Sequence, residues 1–131
     1  MREDKDQYGY LEYELAGGWL VLVGRTDADN DRLSLKVAQQ NDWWFHVHGM
    51  PGSHVLLRAR DGAEPDRRTL EQAAAIAAHH SKARTGGVTA VSCTRARFVT
   101  KPAGAKPGTV QIRKETILKV RPALPTTQKP S

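Results

Sequence analysis

The chain has a single cysteine among its 131 residues, Cys93, which excludes an internal disulfide and any metal site built from several cysteines, and which suits a reducing compartment. Set between Ser92 and Thr94, it reads as a small buried apolar group. Aromatics are scarce at 6%, so the core must be mostly aliphatic. No apolar run approaches the roughly 20 residues that span a bilayer, and the charged start, residues 1–6, has no apolar stretch behind it. Neither a membrane helix nor a secretory leader is expected. P-loop and dinucleotide fingerprints and glycosylation sequons are missing too, which leaves no motif for a cofactor or a small-molecule substrate. The expectation is a cytoplasmic protein with no membrane partner and no cofactor.

The most informative scarcity is of acidic residues in the second half. Residues 1–66 hold 7 Lys and Arg against 12 Asp and Glu, a net charge of −5, whereas residues 67–131 hold 13 against 2, a net charge of +11. A basic half without internal counter-charges directs its excess outward, which favours a polyanion through the local potential and the release of counterions from phosphates. The plainer alternative is a solvated basic surface kept for solubility.

The length fits one domain with a modest core, expected over residues 1–121. Alternation over residues 8–15 and the run Trp19-Leu20-Val21-Leu22-Val23, separated by Ala16-Gly17-Gly18, predict a hairpin. The polar stretch 27–31 supplies N-cap residues ahead of Leu33, Val37 and Ala38 and predicts a short helix. Residues 43–47 and 54–57 read as strands around a tight turn at Met50-Pro51-Gly52-Ser53. Over residues 66–84 alanine dominates, and Leu70, Ala73, Ala74 and Ala77 make one apolar stripe, so a long helix is expected, started at Pro65-Asp66 or by the capping-box spacing of Thr69 and Gln72, and ended by Gly86-Gly87. Strands are expected at 88–91 and 96–100, a loop at 101–108, a closing hairpin of 109–112 with 116–120, and an unstructured end over 122–131. The class is α+β: a largely antiparallel or mixed β-sheet with one long alanine-rich helix and one short helix.

Chemistry concentrates in Asp42-Trp43-Trp44-Phe45-His46-Val47-His48 and the following Pro51-Gly52-Ser53-His54-Val55. Strand alternation puts Trp44, His46 and His48 on one side and Trp43, Phe45 and Val47 on the other. Trp44 or a neighbour is placed to stack on an unpaired base while His46, Ser53 and His54 bond phosphate or base edges. Two core tryptophans with a structurally bonded His46 are the competing reading. A metal site from His46, His48 and His54 near Asp42 matches no established zinc spacing, and a hydrolase using Asp42, His46 and His54 lacks paired carboxylates or an activated nucleophile. The loop from Lys101-Pro102 to Lys106-Pro107-Gly108 has small residues that let a phosphate approach the backbone. It sits among further cations: Lys82 and Arg84 at the helix end, Arg95 and Arg97 two apart on one strand face, and Arg113, Lys114, Lys119 and Arg121. These cations are expected to converge beside the histidine-bearing turn, and removal of Lys101 or Lys106 to cut the salt dependence of binding by about one unit.

Taken in order, Trp19 to Arg25, Asn30 to Ala38, Asp42 to Val47, Pro51 to Val55, His80-Ser81-Lys82-Ala83-Arg84 and Lys101-Pro102 with Lys106-Pro107-Gly108 resemble the NFACT-R domain over about residues 17–120. The resemblance departs locally at Trp43, where an aliphatic residue is expected, and at His48, where a lysine or polar residue is common. In larger proteins of the RqcH/NEMF type this domain accompanies an NFACT domain, helix-hairpin-helix elements and a coiled coil, and the whole binds the large ribosomal subunit with tRNA during rescue of stalled nascent chains. The resemblance therefore implies a free-standing RNA-binding module, with tRNA, rRNA or the large subunit as partner and no catalysis of its own. Carried over by position, Asp42, Trp44, His46, Ser53, His54, Lys82, Arg84, Lys101 and Lys106 are the implied contact residues, joined by Arg95 and Arg97 on charge. A module docking on a ribosomal protein is a third reading.

Overall fold

The computed structural model describes residues 10–125. Strands β1 (Leu11–Leu15) and β2 (Trp19–Val23) form the expected hairpin, with Leu15 opposite Trp19. Its turn needs two successive left-handed residues, and Gly17 (φ 88°) and Gly18 (φ 84°) supply them without a Cβ clash. Helix α1 (Asp27–Arg32), capped by the Thr26 side chain accepting from Asp29 N–H, runs into a wider π turn at Leu33–Val37. The polar stretch 27–31, expected to supply the cap, is thus itself helical, and the cap lies before it at Thr26. Strands β3 (Trp43–Val47) and β4 (Val55–Leu57) follow, then helix α2 (Arg67–His79), β5 (Thr89–Arg95), a 3-10 turn (Ala96–Phe98), and the strands β6 (Val99–Thr100), β7 (Gln111–Ile112) and β8 (Thr116–Val120).

Six strands make one sheet in the order β1-β2-β4-β3-β5-β8, every neighbouring pair antiparallel. The sheet is covered on both faces. Val21, Val23, Phe45, Val55, Leu57, Val91 and Cys93 point to one side and pack under α2, whose alanines let it lie close; Leu22, Trp44 and Leu56 point to the other and pack with Leu33 and Val99. Double-sided burial explains why Trp19–Val23 is a continuous apolar run rather than an alternating one.

Four expectations need correction. Helix α2 is capped by Asp66, which accepts from Thr69 N–H at 2.8 Å, but it ends at His79 and not at residue 84, because the next backbone groups bond to the β3–β4 turn instead of continuing the ladder. Strand β5 runs unbroken through Ser92 and Thr94, whose hydroxyls donate to Glu115 and to the Arg113 carbonyl; the residues beyond it form the 3-10 turn. The closing hairpin does not form: β7 pairs with β6 and β8 with β5, since Val110 and Ile112 pack on the α1 side while Leu118 buries under α2. Residues 122–125, expected to be unstructured, are tied to the fold, because Ala123 N–H donates to the Ala75 carbonyl and Leu124 packs on the α2-side core; the rest of that expected end, residues 126–131, lies outside the described residues.

Candidate nucleic-acid interface

The β3–β4 turn and the end of α2 are fastened together. Ser53 N–H donates to the His80 carbonyl at 3.0 Å, Lys82 N–H to the Pro51 carbonyl at 3.4 Å, and Gly52 forms a β-bridge with Ser81. A Cβ on Gly52 would stand 2.8 Å from the Ser81 Cβ, so the junction requires glycine. Residues 80–84 thereby leave the helix and carry Lys82 and Arg84, both exposed, beside the turn. From the other side comes Arg25, just after Gly24 at the end of β2. Any side chain at Gly24 would collide with Asn30, which is needed in place because its Oδ1 accepts from His54 N–H at 3.1 Å.

These pieces enclose an open cleft of about 410 Å³ lined by Arg25, Asn30, Ser53, His80, Lys82 and Arg84 among others, with Asp27 its one carboxylate. Among the described residues, none of Arg25, Lys82 and Arg84 is ion-paired. Burial, then the neighbouring His79 and Arg84, bring the His80 pKa down to about 4, and burial followed by Arg84 lowers that of His79. The imidazoles are therefore neutral at pH 7, and the positive potential of the cleft comes from two arginines and a lysine. His80 Nε2 meets the Tyr13 hydroxyl at 2.9 Å.

Behind the turn lies a buried polar network. The Trp44 indole N–H donates to Ser34 Oγ at 2.8 Å, and that hydroxyl lies 2.7 Å from His54 Nδ1. The Trp44, His46 and His54 rings pack against one another, stacked or edge-on, at centroid distances of 5.2–6.0 Å. Burial first, and the adjoining His46 second, push the His54 pKa down to about 4; burial also lowers that of His46.

The expected contact residues separate into three groups. Ser53, Lys82 and Arg84 come together at the cleft, and Lys106 is exposed in its loop. Asp42, Trp44 and His54 are 1%, 2% and 2% exposed and serve the interior, which corrects their assignment as contact residues; Trp43 is the more exposed tryptophan, and it lies under the Arg95 guanidinium at 3.9 Å. Asp42 accepts from Gln39 N–H and Ala59 N–H and pairs with Arg58 at 3.0 Å, so it is not available to work with His46 and His54. Among the described residues no group of three His, Cys, Asp or Glu is placed to hold a metal ion. His46 is half-buried and lines a second cleft.

Nor do all the cations converge. Lys101 Nζ is spent internally, on Asp31 (3.2 Å) and on the carbonyls of Lys106 and Thr109. Arg95 bonds Glu64 and the Asn41 carbonyl, and Arg97 bonds the Asn41 side chain. Arg95 faces Trp43 in the sheet register, whereas the turn follows Val47, so it stands roughly 13 Å further along β3. Because β5 ends at Arg95 and Arg97 lies in the 3-10 turn, the two do not share a strand face. Arg25, which strand and loop patterns did not single out, is the cation the sequence reading left out of the contact set; its signal was its place at the end of the Trp19 to Arg25 block, just past a largely buried strand.

A family model described as the NFACT protein RNA binding domain matches residues 10–114. The chain is 40% identical over 117 residues to the Rqc2 homolog RqcH of Bacillus subtilis, covering 89% of this chain and 20% of that protein, and 38% identical over 106 residues to the Rqc2 homolog RqcH of Streptococcus suis, covering 81% and 19%. It spans about a fifth of the length of these relatives. Among solved structures, the C-terminal part of the fibronectin/fibrinogen-binding protein from Streptococcus suis superimposes with a TM-score of 0.79 at 36% identity, over 86% of this chain and 45% of that one.

Proposed function

Because this chain belongs to the family of NFACT protein RNA-binding domains, we propose that it binds RNA through the cleft where Arg25, Lys82 and Arg84 meet the β3–β4 turn, acting in the cytoplasm on tRNA, rRNA or the large ribosomal subunit in ribosome-associated quality control, without catalysis of its own. The observation that carries this reading is the grouping of three cations, none with a carboxylate partner among the described residues, around one concave surface. Such groups are poorly compensated in the free protein and gain most from a phosphate backbone, where guanidinium forks and backbone N–H groups bind phosphate oxygens. Neutral imidazoles beside them offer hydrogen bonds without adding charge.

Three phosphate contacts imply a salt slope of roughly −2 to −3 in log K against log salt. Filter binding to tRNA and to ribosomal RNA across a salt series measures it, and undetectable binding at low salt defeats the reading. Parallel incubation of the RNA with and without a chelator reports any cleavage, for which the buried and committed Asp42 leaves no obvious general-base pair with His46.

A further inference from the structure

A second cleft, of about 310 Å³, opens on the α1 side of the sheet beneath the loop that carries Lys106 and Gly108. Its inner wall is Trp44, His46 and His54, with Val110 and Ile112 opposite and Glu115 on the rim. Among the described residues no lysine or arginine lines it, and the exposed His48 stands at its edge. A carboxylate at the mouth and the absence of cations make it a poor place for a phosphate, while its volume lies at the lower end of the range for small-ligand pockets.

The two clefts are neighbours. Ser53 lines the first and His54 the second, and Asp27 of the first stands about 3.0 Å from where a Gly108 side chain would begin, Gly108 lining the second. We propose that the second cleft takes one unpaired nucleobase carrying an exocyclic amine, from a strand whose phosphates lie along the first; this rests on the RNA reading given above. A flat aromatic ring suits this wall because His46 presents an imidazole to the cleft, held by the buried Trp44 and His54 rings packed against it, and bases splayed from a single strand stack on such rings. Both imidazoles have pKa values lowered by burial, so near neutrality the wall repels no neutral heterocycle and requires no counter-ion. Glu115 Oε2 already accepts from Ser92 Oγ at 2.6 Å and lies 3.6 Å from His48 Nδ1, which fixes that oxygen in place and leaves Oε1 to accept from the amine of adenine or cytosine.

The test compares the intact chain's affinity, by fluorescence anisotropy over a salt series, for a short oligoadenylate, a matching oligouridylate and a matching abasic ribose-phosphate strand. Oligoadenylate is expected to bind about 5- to 150-fold tighter than the abasic strand, the equivalent of the ~1–3 kcal/mol that stacking contributes, with the same salt slope. Oligouridylate should fall between the two, and Glu115→Gln should close the gap between adenylate and uridylate. His46→Ala and Val110→Phe should each erase the preference for bases while leaving abasic binding unchanged, which also certifies their fold. Equal binding of all three strands by the wild-type chain, with the salt slope intact, overturns the base pocket and leaves the RNA reading standing. A preference that survives both variants overturns it as well. Failure of every strand to bind at low salt removes the RNA reading and this inference together.

Discussion

Acidification tests the buried network most directly. His54 is 2% exposed, its Nδ1 is held by Ser34 and its backbone N–H by Asn30, and its pKa falls from 6.5 to about 4 chiefly because burial disfavours the imidazolium. The folded state therefore binds its proton later than the unfolded chain does. Between the two values the unfolded state holds more protons, so stability rises with pH across that window; the contribution is complete above about pH 6.5 and is lost as pH falls towards 4. Linkage from these two pKa values gives a loss of about 2 kcal/mol at pH 5 and about 3 kcal/mol at pH 4. Urea unfolding monitored through tryptophan fluorescence at a series of pH values measures the loss, and the difference between wild type and His54→Gln isolates it from His46, His79 and His80, whose pKa values are also lowered. The variant should be less stable at neutral pH yet lose less on acidification. If wild type and His54→Gln lose stability in parallel from pH 7 to pH 4.5, the buried neutral imidazole is not the cause and the reasoning fails.

Two further outcomes separate affinity from stability. Arg25→Ala and Lys82→Ala, at exposed cations with no ion pair among the described residues, should each reduce the salt slope for RNA by about 0.7–0.9 while shifting stability by less than ~0.5 kcal/mol; Lys101→Ala should keep the slope and cost about 1–3 kcal/mol, because Asp31 and two carbonyls lose their donor. Asp42→Asn should cost about 2–4 kcal/mol in thermal or urea unfolding, less than breaking a fully buried pair since the Arg58 side chain keeps 24% exposure, and RNA affinity measured on the folded fraction should not change.

The hairpin, the two faces of β3 and the start of α2 were legible because each depends on neighbours within a few residues: glycines at a turn, period-2 alternation, an aspartate three residues before the N–H it caps. The end of α2 was not. Its alanine pattern continues to Ala83, and only the distant Pro51-Gly52-Ser53 turn takes the backbone groups that would have prolonged it. Ser92 and Thr94 looked like a break between strands for the same reason, since their partners, Glu115 and the Arg113 carbonyl, lie about twenty residues on. The family motifs were easy to see and hard to interpret. Asp42, Trp44, His54 and Lys101 are polar or amphipathic groups that each have a partner 10 to 70 residues away, and a spacing argument cannot distinguish a side chain that meets phosphate from one that meets Asp31.

That distinction changes what the charge asymmetry means. The basic half spends Arg67 on Glu71, Arg95 on Glu64 and Lys101 on Asp31, so part of its +11 is consumed inside the fold by carboxylates, two of them from the acidic half. What remains uncompensated near the turn is smaller than the sequence total, yet it is better organised, because the Asn30, Ser34, Trp44 and His54 bonds and the Gly52–Ser81 bridge hold the two chain segments that present it. A rigid scaffold reduces the entropy lost when a strand is bound, so three pre-placed cations achieve more than a larger number on free loops would. The buried polar residues thus act on RNA through the position of the turn and, in the second cleft, through the position of His46. Substitutions in the network and substitutions at the cleft should therefore have additive effects on affinity wherever the fold is retained, and strong coupling between, for instance, Ser34→Ala and Lys82→Ala in a double-mutant cycle would show that the network itself reaches the ligand.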